Sequence, residues 1–170
     1  METLFQLQMN PISLFLIVSV DLVLKEYSPD GQLIKDINLS VDAGIYFIRH
    51  AIKLSNGDFL FSCDSVYKEL HRVGLCIVDA VGKLKRSFGE ECGPNSEQMN
   101  SLVYLSVDGN GNVLVVDDCN SRVLLLDSNL KFLRVILSAE KHGLQLPSRI
   151  ILDESNGRML VADKSRVLVF

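Results

Sequence analysis

Three stretches of the chain share one pattern: an apolar run, an Asn-Gly turn, a second apolar run and an Asp. They are 52–64, 105–117 and 151–163. Their Asn-Gly pairs begin at 56, 110 and 156, with spacings of 54 and 46 residues. Arg-Val follows each Asp, at Arg72, Arg122 and Arg166, and opens a third apolar run. Two of these runs continue through a turn into a fourth, over 78–88 and 126–136, and 27–37 reads as an earlier copy of that second half. Four short apolar runs per unit, repeated at such a period, define blades that cannot bury their faces alone and must stack.

The turns supply the mechanism. Asn-Gly between apolar runs is a strong hairpin signal, because both turn positions favour positive φ. In Pro29-Asp30-Gly31, Pro presets φ and Gly takes the left-handed position. No segment sustains a helical period, and 138–142 allows at most one helical turn. The expected fold is all-β, a partial β-propeller of three to four four-stranded blades at about 14–38, 46–88, 103–137 and 149–170. Residues 1–13 fall outside the blades. The apolar run 12–20 is too short for a membrane span, which needs about 20 residues. It has the length of a signal-peptide core, but Glu2 is the only charged residue before it. It is read as a strand ending at Asp21, and no membrane partner is expected.

Composition narrows the partners. Apolar residues make up 48 % of the chain, which excludes a disordered polymer. The formal net charge of −4 opposes binding through phosphates. DNA is therefore not expected, and a protein partner is favoured over RNA. Cys63, Cys76, Cys92 and Cys119 form no CxxC, so no zinc domain of paired cysteines is expected. They read as small buried thiols of a cytoplasmic protein, the other reading being an extracellular disulfide.

The phrase from Val115 to Asp127 resembles an NHL repeat, with its apolar pair, Asp, polar loop with Asn, and Arg-Val opening the next strand. The segments 104–111 and 152–163 resemble the two preceding strands of that repeat. From Tyr27 to Phe170 the chain is similar to the NHL propellers at the C-terminus of tripartite-motif (TRIM) proteins. The resemblance implies a six-bladed ring and a non-catalytic module that binds protein or RNA, the substrate-recognition part of a ubiquitin ligase. The chain departs from that family in lacking a RING or B-box Cys/His framework, in a short Asp163–Arg166 loop, and in its first twenty residues. No enzymatic activity is therefore expected of this chain. The alternatives are a propeller lyase or lactonase with a channel metal, and a secreted or receptor propeller.

The repeated Asp64, Asp117 and Asp163 (with Asp21) read as caps on loop N–H groups, and the repeated Arg72, Arg122 and Arg166 as their partners. Some NHL-like propellers, the amidating lyases among them, hold a channel metal with His from several blades. His50, His71 and His142 are not equivalent in the repeat, so no metal, cofactor or catalytic residue is assigned. The tight turns fall on one face. The other carries the connections 39–45, 64–71, 89–102 and 138–148, where function is expected. The candidate binding residues there are Arg49, His50, Tyr67, Lys68, Tyr104, Arg149 and Lys164. An incomplete ring also leaves blade faces uncovered, and self-association is expected.

Overall fold

The computed structural model describes residues 3–6, 15–18, 23–39, 45–67, 70–89, 98–101 and 104–170. Four antiparallel sheets follow one another along the chain. The first holds β1 (Thr3–Gln6), β2 (Phe15–Val18), β3 (Val23–Tyr27) and β4 (Leu33–Asn38). The second holds β5 (Ile45–Lys53), β6 (Phe59–Tyr67), β7 (Leu70–Val78) and β8 (Leu84–Phe88). The third holds β9 (Tyr104–Val107), β10 (Val113–Asp117), β11 (Arg122–Leu126) and β12 (Phe132–Ser138). After the single helical turn α1 (Ala139–His142) come β13 (Pro147–Asp153), β14 (Arg158–Asp163) and β15 (Arg166–Val169) of the fourth. Within each sheet every strand pairs with its sequence neighbour. The first sheet thus begins at Thr3, ahead of the boundary at 14 drawn from sequence, because β1 pairs with β2. Asp21 lies outside the described residues.

Strand alternation explains how the sheets stack. On β3, Leu24 and Glu26 point inward while Val23, Lys25 and Tyr27 are partly open. All five residues of β10 are buried, as a strand covered on both faces requires. Each sheet has a leading face toward the previous sheet and a trailing face toward the next. Leu24 and Ile37 meet Phe59, Phe61 and Cys63 between the first and second sheets. Leu60, Leu75 and Ile77 meet Val113, Val115 and Leu124 between the second and third. Leu114, Val116 and Val123 meet Ile150 and Val161 between the third and fourth. The first strands β5, β9 and β13 approach one another in turn, so the sheets fan out from a common axis.

The short turns differ from the hairpin expected. Among the described non-glycine residues only Ser121, Leu130 and Lys164 have positive φ, so the Asn of each Asn-Gly pair stays at negative φ. The turn is one residue longer at Asn56-Gly57 and Asn110-Gly111 and two longer at Asn156-Gly157, with only its final position left-handed. Gly111 (φ 82°) donates to the Asp108 carbonyl at 2.9 Å, and the Asp108 N–H closes the loop on the Asn112 carbonyl at 3.0 Å. The Asp108 carboxylate accepts the N–H groups of Asn110 and Asn112 at 2.9 and 2.7 Å, which favours this turn over the tighter one. Asp79 and Asp127 repeat the arrangement. In the last of these, Leu130 occupies the left-handed position at φ 62°. Its side chain is buried between the second and third sheets, which holds it there against the torsional cost.

The second blade carries a register difference that its sequence pattern hides. Asp117 lies opposite Arg122 and Asp163 opposite Arg166. In the second sheet Ser65 lies opposite Arg72, and Asp64 opposite Val73. Asp64 is therefore not the equivalent of the other two aspartates. It sits inside β6, not at a strand end, and side chains alternate, so an odd offset turns it to the other face. The hairpin β6–β7 also continues to Tyr67 and from Leu70, where a loop over 64–71 was expected. Cys63 and Cys76 are buried free thiols with Sγ atoms 3.6 Å apart, and Cys119 is exposed.

Candidate functional site at the long-loop end

The Asp and Arg side chains of the third and fourth blades face each other within their own hairpins. Asp117 is fully buried. One carboxylate oxygen accepts the N–H groups of Asn100 and Ser101 at 3.2 and 3.4 Å. The other accepts Asn120 Nδ2 at 2.8 Å and Arg122 Nε at 2.9 Å. Arg122 Nη2 also donates to the Gln98 carbonyl at 2.6 Å. In the fourth sheet Asp163 accepts the N–H groups of Gln145 and Leu146 at 2.9 and 2.7 Å, and Arg166 Nη2 at 2.8 Å. Burial, the largest influence, raises the Asp163 carboxyl, but the Arg166 bond and the two loop N–H bonds outweigh it and hold the group below its ordinary value. These bonds anchor each inter-blade connection to the blade that follows it. The side chain of Arg72 lies outside the described residues.

Arg49, His50, Tyr104 and Arg149 lie on the first strands of three successive sheets, at or near their long-loop ends. The pairing of β5 slips between Ile45 and Phe47 and between Ile48 and His50, and that of β13 slips between Pro147 and Arg149. Such bulges re-aim side chains at the rim of a sheet. Arg49 binds Asp64 through Nε and Nη2, the latter at 2.7 Å, with its guanidinium 5.6 Å from the centre of the exposed Phe47 ring. The rings of His50 and Tyr104 stack at 4.0 Å with an interplanar angle of 20°. The Arg149 guanidinium lies 4.9 Å from the centre of the Tyr104 ring, a cation–π arrangement. Its Nη1 donates to the Ser148 carbonyl at 2.8 Å, and the residue is exposed.

His50 is buried, and its Nδ1 accepts the Leu105 N–H at 3.2 Å. In the neutral ring the proton therefore resides on Nε2. Burial first, and then the Arg149 guanidinium, push His50 down to about 4. In the unfolded chain an ordinary imidazole titrates near ~6.5. Between these values the unfolded chain binds a proton that the folded chain does not. The stabilisation is therefore complete above the unfolded value and is lost as pH falls toward the folded one, by about 3 kcal/mol in all. Urea unfolding at several pH values from 7 to 4 checks this. Wild type should lose stability more steeply than His50→Gln, whose amide does not titrate. Equal slopes would contradict it.

The structure thus brings together three of the seven residues expected at this end, His50, Tyr104 and Arg149, with Arg49 next to His50 on the same strand. Lys164 lies apart, in the two-residue turn between β14 and β15 at φ 55°, with its N–H bonded to the Leu146 carbonyl at 3.0 Å. Tyr67 lies in β6 with its side chain outside the described residues, and Lys68 lies outside them altogether. Phe47 was missed in the sequence, where it reads as one more apolar strand residue. Its position two residues before Arg49, on the same side of a strand, was the available signal. Among the described residues no three His, Cys, Asp or Glu side chains gather as metal ligands. His142 is far along the chain in α1, with Nδ1 accepting the Ser138 N–H.

No protein-family model and no curated protein sequence matches the chain. Solved structures do. The chain is similar to a virginiamycin B lyase from Staphylococcus aureus, at 15 % identity and a TM-score of 0.57, over 100 % of this chain and 60 % of that one. It is similar to a streptogramin B lyase at 13 % identity and a TM-score of 0.55, over 99 % of this chain and 58 % of that one. A protein of unknown function from Bacteroides caccae matches at 19 % identity and a TM-score of 0.54, over 91 % and 55 %. The chain spans a little over half the length of these proteins. At such identities the likeness is one of fold. It nonetheless corrects the expectation of a chain with no enzymatic activity, which rested on likeness to a non-catalytic module. Two of these three proteins of the same fold are lyases. The four fanned sheets and these neighbours together identify the chain as a partial β-propeller.

Proposed function

We propose that the chain is the substrate-holding part of a propeller enzyme of the lyase or lactone-opening type, with its site at the long-loop end of the axis. The observation that carries this reading is the stack of Arg149 on Tyr104 on His50, built from the first strands of three sheets. An exposed guanidinium held over an aromatic face suits a substrate with a carbonyl or carboxylate oxygen beside a flat or apolar group. A fixed cation also stabilises negative charge that develops on such an oxygen as a C–O bond breaks. Tyr104 supplies the platform, and buried neutral His50 keeps its ring in place as a positioning residue. The likeness to lyases supports the reaction class. The sequence pattern supports reading the sheets as NHL-type blades, whose long-loop end carries contacts.

The test incubates the purified chain with streptogramin B and a panel of lactones, with products followed by mass spectrometry. Opening of at least one ester or lactone is expected. The rate should fall about 100-fold in Arg149→Ala, while the circular dichroism spectrum and melting temperature stay unchanged. No turnover across the panel, or equal rates in wild type and variant, would overturn the proposal.

A further inference from the structure

Cys63 on β6 and Cys76 on β7 are buried in the cluster between the first and second sheets, at 3 % and 5 % exposure. Their Sγ atoms stand 3.6 Å apart, in contact but unbonded. Cys63 lies directly opposite Gly74, and Cys76 opposite Phe61, so the two cysteines are diagonal neighbours on one face. Gly74 puts no side chain between them. Packing alone does not call for sulfur here. With Ser65–Arg72 aligned on Asp117–Arg122, the third sheet holds Val115 and Leu126 at the same two positions. Both are buried in the equivalent cluster between the second and third sheets. The second sheet thus replaces an aliphatic pair by two touching thiols.

The pair is asymmetric. The Cys63 thiol is pushed up, first by its hydrogen bond to Cys76 Sγ and then by burial. The same bond holds Cys76 below its ordinary value, although burial opposes it. Cys76 is therefore the sulfur that ionises, and the thiolate is the form that reacts. Diagonal neighbours have Cα atoms roughly 7–8 Å apart, at the outer limit of what a disulfide spans. Closing a bond here draws β6 and β7 together, and a bond held under such strain is readily reduced.

We propose that Cys63 and Cys76 form a reversible redox pair, oxidised by hydroperoxides to a disulfide that cross-links the central hairpin β6–β7 of the second blade. The Cys76 thiolate attacks the peroxide O–O bond and becomes a sulfenic acid, releasing hydroxide. The Cys63 sulfur then attacks the Cys76 sulfur, and the S–S bond forms as the S–O bond breaks. The two thiol protons and the two peroxide oxygens of hydrogen peroxide leave as two waters. The thiols lose two electrons and the peroxide gains them. A dithiol reductant reverses the reaction by exchange and is itself left as a disulfide.

The test uses the full chain carrying Cys92→Ser and Cys119→Ser, so that only this pair remains, with hydrogen peroxide as the probe. Peptide mapping of the unreduced monomer should join positions 63 and 76, with the chain about 2 Da lighter for the two hydrogens lost. Thiol titration in denaturant should find both sulfurs before treatment and neither after it. Dithiothreitol should restore both without denaturant. When Cys63→Ser is added, dimedone should trap a sulfenic acid on Cys76. Thiols that survive peroxide, sulfinic acid without a cross-link, a bond formed only between chains, or a bond that dithiothreitol opens only in denaturant would each overturn the proposal. Equal trapping on Cys63 in the matching Cys76→Ser variant would overturn the order of attack.

Discussion

Replacing Asp117 with Ala is expected to cost about 3–5 kcal/mol of folding stability, the usual loss when one partner of a buried ion pair is removed. Arg122 would remain buried, its guanidinium facing a cavity in place of a carboxylate. The N–H groups of Asn100 and Ser101 and the Asn120 amide would lose their acceptor in the same step. Asp163→Ala provides the internal control. Its carboxylate is as deeply buried, but Arg166 is half exposed and can turn to water. That variant should lose about 1–2 kcal/mol, the worth of its hydrogen bonds to the loop. Urea unfolding of the two variants checks the order. Equal losses would mean that burial of the arginine is not what sets the cost.

Gly82→Ala is expected to destabilise the chain by about 3–5 kcal/mol, combining a left-handed backbone with overpacking. A Cβ at this position would stand 2.0 Å from the Asn38 carbonyl oxygen and 2.9 Å from its carbon. These are backbone atoms of β4, so the turn 79–82 and the first sheet must separate. Lys35 Nζ donates to the Ala80 carbonyl at the same junction, and that contact would open too. Gly57 has the same φ of 86° but open space where its Cβ would go. Gly57→Ala should therefore cost only the torsional part, about 1–2 kcal/mol. Comparing the midpoints of urea unfolding separates the two contributions. A Gly82→Ala protein no weaker than Gly57→Ala would show that the first and second sheets do not meet there as described.

Much of the architecture could be read before any coordinates. The Asn-Gly and Asp-Gly turns mark where many of the chain reversals fall, and the alternation between them marks strands. What escaped was set by single residues. The extra residue between Gly57 and Asp64, against the spacing in the other two copies, leaves the pattern of letters intact while turning Asp64 to the opposite face. The Asx bonds of Asp79, Asp108 and Asp127 select a longer turn than the dipeptides alone suggest. At the site, His50, Tyr104 and Arg149 were legible as candidates because they fall toward the long-loop face and offer cationic or aromatic side chains there. Their mutual stacking was not, because it depends on bulges in β5 and β13 and joins three blades that sequence reading treats one at a time. The expectation of a chain without enzymatic activity failed for a different reason: the repeat signature describes scaffolding, and scaffolding is shared by binders and enzymes alike.

Each apolar cluster belongs to just two sheets, which gives the molecule no keystone. Strain introduced in one blade reaches its neighbour through their common wall and fades beyond it, much as in other repeat proteins. A hairpin can lengthen by whole residue pairs, as β6–β7 has done with nine pairs against five in β10–β11, with the distant blades indifferent to the change. The architecture therefore tolerates piecemeal variation, one blade at a time, while the axis along which the first strands converge keeps its shape.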